Sequence, residues 1–248
     1  SGDDVKKLVG AFEQAVGRED WPGVAEALKR LQGQEAKVRE EAARQAAVLE
    51  AVLVRPNPAG IEWVYIPAGP FLYGEEKKKV ELAQPVWMGK TPVTQAQYQK
   101  FIAANPQQSA PLGSIDPWIP YSWDEKTRRP PSGKEQHPVV LVTWADAQAF
   151  CQWAGCRLPT EEEWEKSARG VDGRKYPWGE DWMDGKYCNS SEAKIGGTTP
   201  VGKYSPIGDS PYGCVDLSGN VWEWTSTKYD EKNYVLRGGS WVDLGRNV

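Results

Sequence analysis

Two hydrophobic patterns divide the chain into unequal parts. Over residues 3–54 apolar side chains recur at helical spacing, as in Val5, Leu8, Val9, Phe12 and Val16. The same spacing follows Asp20 and again covers 34–54, so the sequence predicts a helical N-terminal segment over residues 1–55. Residues 56–60 are rich in proline and glycine, and we interpret them as a linker because proline ends a helix and stiffens the chain.

From residue 61 onward the pattern changes to short strands separated by turns. Trp63–Ile66 and Phe71–Tyr73 flank a Pro-Ala-Gly turn, which predicts a hairpin. Further apolar runs predict strands at Val80–Leu82, Val86–Met88, Val139–Val142, Leu217–Thr225 and Val235–Trp241. Residues 107–136 hold several prolines and little periodicity, which predicts a long ordered loop.

Three capping-box patterns mark the starts of helices in this second part. They are Thr94-x-x-Gln97, Thr143-x-x-Asp146 and Thr160-x-x-Glu163, in which each pair satisfies the other residue's backbone donor. Gly155 is expected to end the second helix, because glycine adopts the left-handed backbone of a helix end at little cost.

Composition excludes several classes of function. The 248 residues carry a net charge of −4, and no basic block is longer than Lys77–Lys79, so we expect no nucleic-acid partner. No apolar run is long enough for a membrane span, and the polar first residues show no signal peptide. Localisation stays open between the cytoplasm and delivery to a virion or cell surface by another route. Thirteen tryptophans predict an aromatic core.

The cysteines and the single histidine offer no obvious metal or catalytic cluster. Cys151, Cys156, Cys188 and Cys214 form no Cys-x-x-Cys pair, and His137 is the only histidine, so no zinc site is expected. We favour four free thiols, with one disulfide such as Cys188–Cys214 as the alternative.

Seven segments, in order, resemble the formylglycine-generating (sulfatase-modifying factor) superfamily. The resemblance rests on Trp63–Phe71, Lys90–Tyr98, His137–Trp144, Arg157–Glu165, Tyr176–Gly179, Gly219–Trp224 and Arg237–Trp241. It implies an α+β fold of the C-type-lectin-like kind over residues 61–248. Because the family usually continues further, we expect the C-terminal strands to be incomplete in this sequence.

The same resemblance implies that the family's best-known chemistry is absent. The copper-dependent enzymes carry two cysteines at the third and eighth positions after the serine of Gly-Gly-Ser, which here are Asp243 and Val248. A carboxylate and an isopropyl group cannot replace two thiolates as ligands of Cu(I). An iron-dependent branch uses several histidines, which this chain lacks. We therefore assign no catalytic residue and expect a protein that is not an enzyme.

One metal site is still implied by the resemblance. Family members often bind Ca²⁺ in the loop that contains Gly-Asn-Val-Trp-Glu-Trp. The matching ligands here are the side chains of Asp216 and Glu223 with the carbonyls of Gly219 and Val221. Hard oxygen ligands at close spacing suit Ca²⁺, but the two acids alternatively form ordinary hydrogen bonds or salt bridges without metal.

Three functions remain open. The favoured one resembles the variable proteins of diversity-generating retroelements, in which residues after Arg-Gly-Gly-Ser-Trp contact a protein or other macromolecular ligand. The matching solvent-facing candidates are Trp241, Asp243, Leu244, Arg246 and Asn247. The alternatives are a regulatory or assembly module that binds a partner or a second copy through its N-terminal helices, and an enzyme of the superfamily with different chemistry.

Overall fold

The computed structural model describes residues 57–113 and 121–245. The chain divides into two units, residues 1–56 and 57–248. The predicted helical segment over 1–55 lies outside the described residues and stays a prediction. Part of the predicted linker packs into the second unit, because Ala59 is fully buried and the Asn57 side chain accepts hydrogen bonds from the backbone of Gly60 and Ile61.

The first four strands form two antiparallel pairs, one placed within the other along the chain. Strand β1 (Trp63–Ile66) pairs with β4 (Val86–Gly89), and β2 (Gly69–Tyr73) pairs with β3 (Lys78–Leu82). The predicted hairpin between Trp63–Ile66 and Phe71–Tyr73 is therefore wrong. The Pro67 and Gly69 carbonyls accept hydrogen bonds from Lys166 Nζ at 2.6 and 2.9 Å, so this segment connects two sheets instead of reversing within one.

Three helices follow, and their starts confirm the capping prediction. Helix α1 covers Gln95–Ala104, α2 covers Trp144–Ala154 and α3 covers Glu161–Arg169. Each begins with a reciprocal capping box at the predicted threonine. Helix α2 ends as predicted at Gly155, whose φ of 76° is left-handed.

The predicted strand over Val139–Val142 is not formed. Its backbone makes isolated hydrogen bonds to the rest of the fold, such as the bond from Val139 N to Val93 O at 2.8 Å. Leu141 has a φ of 62°. A left-handed residue cannot continue an extended strand, so the chain turns there and enters α2.

The last two strands are shorter than predicted. Strand β5 covers Glu223–Lys228 and pairs in antiparallel fashion with β6, Tyr234–Arg237. The flanking residues are excluded because the backbone has positive φ at Asp216, Gly219, Asn220, Gly238 and Gly239. The resulting curled loops, outside the regular sheet, form the candidate site.

Three clusters of buried side chains fill the described part of the molecule. The first lies between α1 and α2 and is aromatic, with Tyr98 stacked on Phe150 at a ring distance of 5.6 Å. The second packs α3 on β1 through Trp164 and Ile66, and the third contains Tyr121, Val221 and Trp241. No helix among the described residues is long and apolar enough to cross a membrane.

Candidate functional site

The segment from Trp241 to Gly245 alternates between buried or half-buried residues and exposed ones. Trp241 is 8% exposed and lies 5.4 Å from Tyr121 between ring centres. Val242 is 67% exposed and Leu244 is 42% exposed, whereas Gly245 is buried again. The segment therefore fixes itself through every second residue and presents the residues between them to solvent.

Hydrogen bonds hold the backbone of this segment from two sides. The Asp243 carboxylate accepts from the Ser240 backbone nitrogen at 2.9 Å and from its hydroxyl at 2.6 Å. The Asp243 carbonyl accepts from Ser191 N at 2.9 Å, and the Glu192 carboxylate accepts from Gly245 N at 2.9 Å. Because Ser191 and Glu192 are distant in sequence and Ser240 closes a local turn, the exposed side chains project from a fixed backbone.

Gly245 is required by close packing. A Cβ atom at this position would lie 1.9 Å from the ring of Trp182, a distance that no side chain can accept. The Trp182 ring thus packs directly against the end of the segment. Trp182 itself is oriented by a 2.8 Å bond from its Nε1 to Asp184 Oδ1.

The five residues predicted to contact a macromolecular ligand divide into three groups. The solvent exposure expected of Trp241 is not observed, because this side chain fills the core against Tyr121. Asp243 is half-buried and its carboxylate closes the Ser240 turn, whereas Leu244 is exposed as expected. Arg246 and Asn247 lie outside the described residues.

Two exposed apolar residues were not among those predicted. Val242 lies between two inward-facing residues, and Trp222 is 44% exposed two positions after Asn220, whose carbonyl accepts from Trp241 N at 3.2 Å. Successive side chains of an extended segment point in opposite directions. An inward-facing Val221 therefore predicts an outward-facing Trp222, and the sequence alone contains this signal.

The loop that follows Asp216 buries two carboxylates. Glu223 Oε2 accepts from Trp164 Nε1 at 3.2 Å, while its other oxygen is buried without a hydrogen-bond partner among the residues that the structure describes. Asp216 Oδ2 accepts from Gly202 N at 2.9 Å. Burial raises the pKa of Glu223 to about 8, with a further contribution from the charge of Asp216, and burial raises the pKa of Asp216 to about 6.

These residues fit the predicted Ca²⁺ site in chemistry. A buried carboxylate oxygen with no donor costs free energy, and a hard cation is a suitable partner for it. Within the described ranges no group of three or more His, Cys, Asp or Glu side chains could hold a metal, so carbonyl groups would have to complete the ligand set. The Gly219 carbonyl accepts a local bond from Val221 N at 2.9 Å and keeps a second lone pair.

A buried amide network fixes the backbone of this loop. Asn220 Oδ1 accepts from Asn189 Nδ2 at 3.2 Å and from Thr199 N at 2.9 Å. Asn220 N donates to the Asn189 carbonyl at 2.8 Å, next to the bridge between Asn189 and Gly219. The left-handed Asn220 is thereby held in place, and the loop and the Ser240–Gly245 segment share one support.

The remaining reactive residue types have structural surroundings. His137 is buried with Nδ1 2.9 Å from the Thr198 hydroxyl, and burial lowers its pKa. All four cysteines lie in the described ranges and are free, which confirms the favoured prediction over a Cys188–Cys214 disulfide. Burial raises the pKa of Cys188 and of Cys214 to about 12, so both remain protonated at neutral pH.

Comparison with known proteins gives one family match and several relatives. The family model for the Sulfatase-modifying factor enzyme 1-like domain matches residues 50–247. The "Inactive C-alpha-formylglycine-generating enzyme 2" of Bos taurus is 47% identical over 123 residues, covering 44% of this chain and 40% of the relative. The "Formylglycine-generating enzyme" of Streptomyces coelicolor is 37% identical over 148 residues, covering 48% and 46%. The chain thus spans less than half the length of these relatives.

Solved structures share the fold. "PvdO from Pseudomonas aeruginosa" matches with a TM-score of 0.59 at 20% identity, covering 78% of this chain and 91% of that protein. "Treponema denticola variable protein 1" matches with a TM-score of 0.56 at 21% identity, covering 75% and 85%. At this level of identity the likeness establishes an architecture, the α+β fold expected from the sequence.

Proposed function

Because the chain belongs to the family of sulfatase-modifying factor enzyme 1-like domains, we propose that it uses the family's fold as a rigid scaffold for binding a ligand, without catalysis. The family includes relatives described as enzymes and relatives described as inactive. The alternation of buried or half-buried residues with exposed ones from Trp241 to Gly245 carries the proposal. It separates the residues that hold the segment from those that are free to contact a partner.

The exposed residues have the chemistry of a binding surface. Val242, Leu244 and Trp222 are apolar and solvent-exposed, and an exposed tryptophan is a frequent anchor of protein interfaces. Their backbone is fixed before any partner arrives, so little conformational entropy is lost on binding. The ligand in this proposal is a protein or another macromolecule with a complementary apolar surface.

The residue at the first catalytic-cysteine position supports a role without catalysis. Asp243 uses its carboxylate to close the Ser240 turn, with bonds of 2.9 and 2.6 Å, and so contributes to the scaffold. Carboxylate oxygen is a hard ligand that does not replace thiolate for Cu(I). The buried thiols of Cys188 and Cys214 are protonated at neutral pH and are poor nucleophiles.

In this proposal Ca²⁺ belongs to the scaffold. Asp216 and Glu223 would hold it with their side chains, and Gly219 and Val221 would contribute carbonyl oxygens. The ion would supply charge neutralisation for two buried acids and would fix the loop that supports Trp241. The partnerless oxygen of Glu223 supports this assignment.

A matched pair of libraries tests the binding proposal. In one library Trp222, Val242 and Leu244 are randomised, and in the other Trp241 and Asp243 are randomised. Both are displayed and selected on immobilised lysozyme as a probe. We expect folded binders from the first library and mostly unfolded protein from the second.

Two outcomes would contradict the proposal. Equal loss of folded protein in both libraries would remove the distinction between holding and displaying residues. Conversion of cysteine to formylglycine by this chain, in a substrate peptide of Formylglycine-generating enzyme with Cu(I) present, would show catalysis.

A further inference from the structure

The C-terminus of helix α2 places two cysteines side by side. Gly155 takes a left-handed conformation, and Cys156 N donates to the Cys151 carbonyl at 2.9 Å while Gly155 N donates to the Gln152 carbonyl at 3.2 Å. These are the two backbone bonds of a Schellman motif, in which the first and last residues bring their side chains together. The motif therefore pairs Cys151 with Cys156, although five positions separate them.

The backbone geometry meets the requirement for a disulfide. With standard bond lengths, the contact between Cys156 N and the Cys151 carbonyl limits the two Cα atoms to a separation of at most about 6.8 Å. Disulfides span Cα separations of about 4.4–6.8 Å. Each thiol also shifts the pKa of the other, so the two side chains are close to one another. The two sulfurs can thus be joined without rearranging the fold.

The two thiols differ in access. Cys151 is 9% exposed and packs in the aromatic cluster with Phe150 and Ala154, whereas Cys156 lies at the edge of this cluster and is partly exposed. The interaction between the two thiols lowers the pKa of Cys156 and raises that of Cys151, and burial raises the pKa of Cys151 further. Cys156 is therefore the thiol that a reagent from solvent meets first, and Cys151 is the thiol behind it.

The other two cysteines provide an internal contrast. Cys188 and Cys214 are 4% and 0% exposed, and the side-chain partners that affect their pKa values are Ser190 and Ser210. Each is a buried thiol next to a hydroxyl group, without a cysteine as hydrogen-bond partner. Only the pair at the end of α2, among the described cysteines, combines access with a neighbouring thiol.

We propose that Cys151 and Cys156 form a reversible dithiol–disulfide site that exchanges with small-molecule disulfides of the glutathione class. The Cys156 thiolate attacks one sulfur of the oxidised reagent, forms a mixed disulfide and releases one glutathione thiolate, which takes a proton. The Cys151 thiol then gives its proton to solvent, and its sulfur attacks Cys156 Sγ and releases the second glutathione. The protein loses two electrons and two protons, and one glutathione disulfide becomes two thiols.

This site is separate from the proposed binding surface. The contacts that fix the Ser240–Gly245 segment come from Tyr121, Trp182, Ser191, Glu192 and Asn220. None of them belongs to α2 or to the turn that follows it. The proposal of a redox site therefore does not depend on whether the exposed segment binds a ligand.

The test uses the full chain, fully reduced and then equilibrated in buffers from reduced to oxidised glutathione. Acid quenching, alkylation and peptide mass spectrometry identify each cysteine's state. We expect a Cys151–Cys156 cross-link whose fraction follows the ratio of glutathione disulfide to the square of glutathione. Cys188 and Cys214 should remain thiols in the folded protein.

Single substitutions separate the two steps. Cys151→Ser should stop the reaction at a mixed disulfide between Cys156 and glutathione, and Cys156→Ser should leave Cys151 unmodified. The proposal is overturned when the folded wild-type protein accumulates the mixed disulfide without resolving it, or keeps both thiols throughout the series. Because this outcome is read on the wild-type chain, it does not depend on either variant folding.

Discussion

Helix α3 and the loop after Asp216 both bury acidic side chains, but only helix α3 pairs them fully. Glu165 is 1% exposed, and its two oxygens accept bonds from Arg169, from Arg237 at 2.6 Å and from Gly74 N at 2.6 Å. Glu223 has one bonded oxygen and one without a partner in the described structure. Buried polar groups are normally satisfied, so a bound cation is the partner that we propose for this oxygen.

Helix α3 also differs at its surface from the segment Ser240–Gly245. The acidic side chains of helix α3 form ion pairs with Arg169 and Arg237, and Arg169 also donates to the Gly74 carbonyl. The segment Ser240–Gly245 exposes Val242 and Leu244, although exposure of apolar groups brings no stability. Helix α3 is therefore stabilised by its ion pairs, whereas the exposed side chains of Val242 and Leu244 add no stability.

The largest expected effect comes from breaking the paired region. Glu165→Gln leaves the guanidinium groups of Arg169 and Arg237 without their shared carboxylate, and loss of one partner in a buried ion pair costs about 3–5 kcal/mol. Partial exposure of Arg237 favours the lower end of that range. Urea unfolding measures the difference, with Glu162→Gln on the same helix as the control at no more than about 0.5 kcal/mol. A loss as small as the control's would remove the contrast with Glu223.

The second prediction concerns Ca²⁺ and the unpaired carboxylate. A ligand that binds only the folded state stabilises it by about 2.7 kcal/mol when its free concentration is 100 times its dissociation constant. We expect saturating Ca²⁺ to raise the unfolding free energy of the wild type by this order, and Glu223→Gln to abolish the increase. Chemical denaturation with and without Ca²⁺ measures both. An equal Ca²⁺ response in the wild type and the variant would show that Glu223 is not a ligand.

The third prediction concerns how the free energy of unfolding depends on pH when no metal is present. The pKa of Glu223 is raised from 4.5 to about 8 in the folded protein, so the folded state binds a proton more tightly than the unfolded state. Its contribution to stability is present below pH 4.5 and is lost as the pH rises towards 8. In chelator, Glu223→Gln should flatten this part of the stability profile. A variant profile that follows the wild-type profile over this window would contradict the assignment.

The fourth prediction tests the contact between Gly245 and the Trp182 ring at the end of the exposed segment. Gly245→Ala drives a methyl group into the Trp182 ring, where the Cβ would lie at 1.9 Å, and overpacking of this kind costs about 1–3 kcal/mol. Gly89→Ala is the control, because its nearest neighbours stand at 3.6 Å, an ordinary contact. Thermal unfolding reports the change. Equal stability of the two variants would mean that the segment's end is not fixed by the ring.

The local features of this architecture could be predicted from the sequence, and the non-local ones could not. Each capping box sits within four residues, so Thr94, Thr143 and Thr160 marked their helices correctly. The partner of β1 is β4, more than twenty residues away, and a nearby turn signal suggested the wrong hairpin.

The candidate site shows the same limit. The resemblance to variable proteins predicted the exposure of Leu244, but it also predicted exposure of Trp241, whose burial depends on Tyr121, which is distant in the sequence. The pairing of Cys151 with Cys156 arises from a left-handed Gly155, a geometry whose helix-ending role was predicted while its effect on the two thiols was not. The partnerless oxygen of Glu223 is visible only once the surrounding donors have been placed.

The smallest expected effect is the sharpest test of the display surface. Val242→Ser and Leu244→Ser remove exposed apolar groups, and surface substitutions of this kind change stability by no more than about 0.5 kcal/mol. Trp241→Ala, at the position before Val242, empties a buried site beside Tyr121, and truncations of this kind cost about 3–5 kcal/mol. Urea unfolding of the three variants compares neighbours in one short segment. Similar losses in all three would show that Val242 and Leu244 also hold the fold, and the distinction between support and display would then be lost.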